Sequence, residues 1–230
     1  MEGATAMSAR DDILAQIRRS LGVPAADAPR RAAAAARLAT RPRGVTPARG
    51  QGAHVEQVRL FTAMAQGALA TCATVASMEQ TPAEVARYLR EANQPATVRM
   101  GRDPFLTALD WNATPLTVSH GPSDGSDVNS VSRAFAGVAE TGTLVLISGT
   151  DNPTTLNFLP DNHIVVLRVD DIVGDYESVW DRLRDRFGEG PPPRTINLIT
   201  GPSRSADIAQ TILLGAHGPR KLHIVLVAGG

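Results

Sequence analysis

Two glycine-proline turns set close together constrain the fold of this chain more than any other feature. Gly201-Pro-Ser-Arg-Ser-Ala-Asp-Ile208 and Gly215-Ala-His-Gly-Pro219 lie between two apolar runs, residues 195–200 and 222–227, that read as strands. A strand, a Gly-Pro turn, a hydroxyl- and Asp-rich helix over residues 203–214 and a return strand predict a βαβ crossover. Ligands of open parallel sheets bind beyond the carboxyl ends of strands, which puts a site at the Gly201 turn.

The rest of the chain supports the same class. Strands are expected near residues 71–76, 96–100, 116–119, 138–148 and 164–169, and helices from His54 to about Leu69, over 81–92 and over 176–187. Thr81-Pro82 with Glu84 is a near-complete helix start, with Thr81 as the cap. Strands alternating with helices predict an α/β fold, a mostly parallel sheet with helices on both faces. Ser8 followed by Ile13, Ile17 and Leu21 reads as a capped amphipathic helix over residues 1–22. Residues 23–53 are rich in Ala, Arg, Pro and Gly and read as a flexible linker with at most a helical turn in 31–38. The α/β domain is then expected over 54–230. The run from Gly121 to Asp127 is loop by its chemistry.

At the first turn, Gly201 allows a sharp bend and Pro202 sets φ for a helix start. Ser203, Ser205 and the free N–H groups of a first helical turn form an anion cradle, with Arg204 beside it and Asp207 placed to cap, pair or hold a hydroxyl. The plainer alternative is that Ser203 only caps a helix and Asp207 only favours its dipole. His217, at the second turn, suits a general acid/base or a helix C-terminal cap. His163 and His223 fall on strands and read as structural.

Mid-chain, Glu140-Thr141-Gly142-Thr143 interrupts an apolar strand. Glycine inside a strand signals a bulge or a close backbone approach. A glutamate there is costly unless exposed, paired or used, which makes Glu140 the leading candidate base, with Thr141 and Thr143 as ligand contacts. The alternative is an edge-strand glutamate on a solvent face. Asp124, Asp127 and His120 show no metal-ligand spacing, so no metal site is read. Dinucleotide, P-loop, nucleophile-elbow and zinc-protease motifs are missing, and the cofactor stays unknown.

Composition removes further classes. Lys+Arg and Asp+Glu balance at 23 each, and aromatics are 4%, so neither a nucleic-acid field nor base stacking is expected. Cys72 is the only cysteine, which excludes an internal disulfide or a cluster held by this chain alone and fits a reducing cytoplasm. No apolar run reaches the ~18 residues of a membrane span.

Residues 138–227 resemble the lactate utilisation protein C family of LUD-domain proteins. The resemblance rests on Ala139-Glu-Thr-Gly-Thr-Leu-Val-Leu146, Leu159-Pro-Asp-Asn-His-Ile164, Gly201-Pro-Ser-Arg-Ser-Ala-Asp-Ile208 and Gly215-Ala-His-Gly-Pro-Arg-Lys-Leu-His223, in order and in register. It implies a fold similar to ribose-5-phosphate isomerases and CoA transferases. It also implies a cytoplasmic role in oxidising L-lactate to pyruvate, as the cluster-free component beside two iron–sulfur partner proteins. The motif residues carried over are Glu140, Thr141, Gly142, Thr143, Gly201, Pro202, Ser203, Arg204, Ser205, Asp207, His217 and Gly218. The chain departs from the family at Ser132-Arg-Ala-Phe-Ala136 and at Asp151-Asn-Pro-Thr-Thr-Leu156, where an Arg is common. Two other readings stay open: a free-standing enzyme binding a phosphate- or carboxylate-bearing small molecule, and a binding module that docks through its N-terminal helix.

Overall fold

A computed structural model describes residues 8–22, 24, 27–188, 190–205 and 213–229, with Leu213 and Leu214 described by backbone alone. The chain divides into two units, residues 1–44 and 45–230.

The first unit holds two helices, α1 (Ala9–Leu21) and α2 (Ala28–Thr40). Ser8 caps α1 by accepting from the Asp11 N–H, and Gly22 ends it at φ +62°. For α2, Asp27 accepts from the Arg30 N–H, and Pro29 stands in the first turn. A tether with at most one helical turn is expected over this stretch, and the structure has a three-turn helix instead. Lack of an apolar stripe removes a packing face, but alanine has the highest helix propensity and the caps supply both ends.

In the second unit, a six-stranded sheet runs in the order β1 (Thr71–Val75), β12 (Lys221–Val227), β7 (Asn162–Arg168), β4 (Asn129–Arg133), β2 (Thr97–Met100), β3 (Thr117–His120). Every neighbouring pair in it is parallel. A four-stranded sheet has the order β8 (Ile172–Val173), β5 (Ala136–Val138), β6 (Thr143–Ile147), β9 (Ile196–Ile199), with β6 antiparallel to both neighbours.

Alternation along the strands assigns the layers. Ile164, Val166, Val225 and Val227 face α4 (Thr81–Glu91) and α5 (Pro104–Thr107), packing on Val85, Leu89, Leu106 and Trp111. Val165, Leu167, Ile224 and Leu226 face the opposite way, onto Phe61 and Ala65 of α3 (His54–Gly67) and onto Leu144 and Leu146 of β6. Val145 turns outward to Val179 and Leu183 of α6 (Tyr176–Phe187). The fold is thus α/β with a mostly parallel sheet, one face covered by helices and the other shared by α3 and the smaller sheet.

The packed unit starts before His54. Gly50 is buried against Gly174, Gln51 Nε2 donates to Asp175 Oδ2 at 2.8 Å, and Gln57 Nε2 donates to Gly50 O at 3.0 Å. Helix α4 begins at Thr81 with Gln80 as its cap, so Thr81 does not cap it; its buried Oγ1 has no partner among the described residues.

Candidate functional site

The expected bulged strand over residues 138–148 is a hairpin. Val138 of β5 pairs with Thr143 of β6 across a four-residue turn closed by Gly142 N–H donating to Val138 O at 2.9 Å. Gly142 has φ +67°, and a Cβ on it would collide with the Ala65 backbone of α3. The glycine therefore marks a close backbone approach, at a chain reversal rather than a bulge.

Glu140 sits in that turn, 4% exposed. Its N–H donates to Gly174 O at 3.2 Å, and its Oε2 has no hydrogen-bond partner among the described residues. The solvent-facing edge glutamate is thereby excluded. Beside it, Thr141 Oγ1 lies 2.7 Å from Thr143 Oγ1, and both approach the Tyr176 hydroxyl, at 3.0 and 2.9 Å. Thr143 Oγ1 also lies 2.6 Å from Thr200 Oγ1, the residue before Gly201. This bond joins the two signature segments at one end of the small sheet.

The Gly201 turn makes the same use of α3. Gly201 has φ +71°, and a Cβ there would strike Ala68 O, at the helix end. Beyond it, the expected helix from Ser203 is not formed in the described residues. Arg204–Ser205 (β10) pairs antiparallel with Leu213–Leu214 (β11). The expected crossover is also revised, because β9 belongs to the small sheet and β12 to the large one. Ser203 is fixed by the second turn: its N–H donates to Pro219 O at 2.8 Å, its carbonyl accepts from Gly215 N–H at 2.9 Å, and its Oγ accepts from His217 N–H at 3.3 Å. Those tertiary bonds occupy the Ser203 groups that would have capped a helix; residues 206–212, over which that helix is expected to run, lie outside the described residues. Asp207 lies outside the described residues.

The two turns border a cavity of about 260 Å³ lined by Gly201, Ser203, Arg204, His217, Asn157 and His163. Phe158 and Leu198, both partly exposed, stand at its apolar edge. It opens beside the first residues of β7 and β12 (Asn162 and Lys221 begin them), at the amino end of the parallel sheet. Glu140 does not line it; Thr143 reaches it only through Thr200. Thr141, Gly142 and Ser205 are likewise outside its lining.

Sequence reasoning missed the cavity's polar floor. His163, read as structural, is fully buried, with Nε2 3.1 Å from Ser132 Oγ and Nδ1 without a partner among the described residues. Burial pushes its pKa down to about 3, so the ring is neutral near pH 7. Ser132 Oγ also lies 3.4 Å from Asn157 Oδ1, and Asn157 Nδ2 has no partner among the described residues. A signal existed: β4 reads Asn-Ser-Val-Ser-Arg, too polar for a central strand unless its side chains face a polar interior. Asn129 indeed donates to Pro95 O and Thr97 O and accepts from Asn162, which accepts from the Tyr88 hydroxyl.

The LUD domain family matches residues 129–227, from the first residue of β4 to the last of β12. Lactate utilization protein C of Geobacillus kaustophilus is 32% identical over 171 residues, covering 65% of this chain and 71% of that protein. The Bacillus subtilis protein of the same name is 32% identical over 133 residues, covering 54% and 55%. An uncharacterized protein of Neisseria meningitidis is 35% identical over 96 residues, covering 42% and 40%. The chain thus spans about half the length, or less, of several relatives it matches. The crystal structure of a DUF162 family protein from Deinococcus radiodurans shares the fold, with TM-score 0.54 at 22% identity over 76% of this chain and 99% of that one. With the LUD domain matched over residues 129–227 and a 32%-identical relative matched over more than two thirds of its length, this chain belongs to the lactate utilization protein C family.

Proposed function

We propose that the chain is the cluster-free component of a cytoplasmic system that oxidises L-lactate to pyruvate with iron–sulfur partner proteins, and that its Gly201 cavity holds the small acid. The relatives' names supply the process. The observation that carries the site is a pair of polar atoms of opposite kind, Asn157 Nδ2 and His163 Nδ1, that find no partner among the described residues and belong to two residues lining one cavity. In the tautomer that donates Nε2–H to Ser132, His163 Nδ1 is an acceptor, while the Asn157 amide is a donor. Each unmet buried group costs roughly 1–3 kcal/mol, and a 2-hydroxy acid relieves both. Its hydroxyl donates to His163 and its carboxylate accepts from Asn157. Arg204, exposed at the mouth, draws in the anion.

Of the two residues expected to handle protons, His217 lines the cavity and keeps that proposed role. Glu140 acts as a positioning residue, through the turn that sets Thr143 on Thr200. One cysteine cannot supply the four thiolates of a cluster, so the two electrons released as lactate becomes pyruvate pass to a partner. No helix among the described residues is long and apolar enough to cross a membrane.

Glu140→Gln should keep the fold, and it should slow growth on L-lactate at unchanged protein abundance. Normal growth would show that the Glu140 carboxylate does not position the site.

A docking role for α1 has its own support. Ile13, Ile17 and Leu21 are 59%, 48% and 61% exposed along one stripe, and no residue of α1 is buried. The stripe is the proposed contact for the iron–sulfur partners. Co-purification from lactate-grown cells should recover those partners with the full chain and lose them when residues 1–44 are deleted.

A further inference from the structure

Strand order in the large sheet reverses between β2 and β4. From β2 the chain moves outward to β3, whereas from β4 it moves the other way, to β7 and β12. The segments leaving two such neighbours diverge and open a crevice beyond their carboxyl ends. Here the crevice holds Asp103, just past β2, and Arg133, the last residue of β4, paired at 2.9 Å. Both line a cavity of about 350 Å³ with Phe135, Asn152, Arg182 and Arg186. No residue lines both this cavity and the one at Gly201.

Three observations point to a ligand. Gly101 leaves no room for a side chain, because a Cβ would strike Asp151 O; the segment carrying Asn152 is pressed onto the end of β2. Asn152 is 7% exposed, and its Oδ1 meets no donor among the described residues. Three guanidiniums converge, and two have carboxylates: Arg133 has Asp103 and Arg182 has Asp171. The remaining carboxylate, Asp151, is exposed and takes the Thr150 hydroxyl at 3.3 Å. Arg186 has no carboxylate partner among the described residues and lies 5.9 Å from the Phe135 ring centre, which Arg182 approaches at 5.8 Å. Arg133 lies 4.5 Å from the Phe105 ring. A guanidinium stacked on an aromatic face keeps its N–H edge free for a forked contact to an oxyanion.

We propose that this crevice is a second ligand site, for a phosphate ester that carries a free hydroxyl. Its phosphate dianion lies between the Arg133 and Arg186 guanidiniums, and its hydroxyl donates to Asn152 Oδ1. A lone carboxylate is matched by one guanidinium fork, whereas a dianion with three terminal oxygens uses more than one. The proposal does not rest on the lactate reading of the Gly201 cavity.

Thermal melts with glycerol 3-phosphate, inorganic phosphate and L-lactate, at matched ionic strength, test it. Glycerol 3-phosphate at about ten times its Kd should raise Tm by roughly 3–5 °C, and by more than inorganic phosphate does. Arg186→Ala should abolish the rise, Asn152→Leu should remove the preference for the hydroxylated ester, and Arg204→Ala should leave the rise intact. Three results overturn the proposal: no shift with glycerol 3-phosphate, a shift that survives Arg186→Ala, or an Arg186-dependent shift with L-lactate instead.

Discussion

At the scale of single residues, two glycines fix the site. Gly142 and Gly201 hold left-handed backbone and press on the last turn of α3 from two different loops. An added methyl meets both a backbone penalty of about 1 kcal/mol and an overpacking cost of about 1–3 kcal/mol. Gly142→Ala and Gly201→Ala should each lower unfolding stability by roughly 2–4 kcal/mol. Gly67→Ala, in the same helix but with nothing near its Cβ, should be neutral or stabilising by up to about 1 kcal/mol. Urea titration of the three variants checks the contrast. The buried histidines add a pH dependence. Burial lowers His163 to about 3 and His223 to about 4, the latter against the pull of the Glu84 carboxylate. Free imidazole titrates near 6.5, so between these values the unfolded chain binds more protons than the native one, and stability rises with pH. It should be complete above about pH 7 and fall by an amount on the order of 2–4 kcal/mol by pH 5. Equal urea midpoints at pH 7 and pH 5 would contradict this. The glycines were legible because strain and close approach leave few alternatives at such positions. His163 was not, because a histidine on a strand looks the same whether its partner is protein or ligand.

Elements were legible where the pattern was strong and misread where chemistry replaced it. The near-continuous apolar runs of β7 and β12 announced buried strands, and both formed over nearly the expected residues. Strand β4 went unread because Asn129, Ser130 and Ser132 look like loop chemistry, while in the fold each is buried and hydrogen-bonded. The Gly201 segment failed the other way. Its hydroxyl-rich start has the composition of a helix cap, but the Gly215–Pro219 turn competes for the Ser203 backbone and draws Arg204–Ser205 into a ribbon. Helix α2 shows that alanine alone can carry a helix without any stripe to signal it. The hydrophobic clusters draw on residues from Val58 onward and on nothing in α1 or α2. A chain beginning at Val45 should therefore melt cooperatively within about 3 °C of the full protein. A loss of more than about 10 °C, measured by calorimetry, would show that the helices before it belong to the core.

For the whole molecule, the class was legible and the layering was not. Alternating strands and helices indicated an α/β fold, but periodicity along one chain cannot tell whether successive strands share a sheet. Sending β9 to a second sheet moved the expected site from the carboxyl end of a crossover to the amino end of β7 and β12. The two signature segments still meet, through the Thr143–Thr200 contact and a common support in α3, but not on a shared cavity, because Glu140 lies outside its lining. On this account the cavity bordered by the Gly201 and Gly215–Pro219 turns is where the protein does its work. The most direct measurement is growth on L-lactate of cells whose only copy carries Arg204→Ala, with abundance and Tm followed in parallel. Strongly slowed growth at wild-type abundance and Tm is the predicted result; wild-type growth would contradict the account.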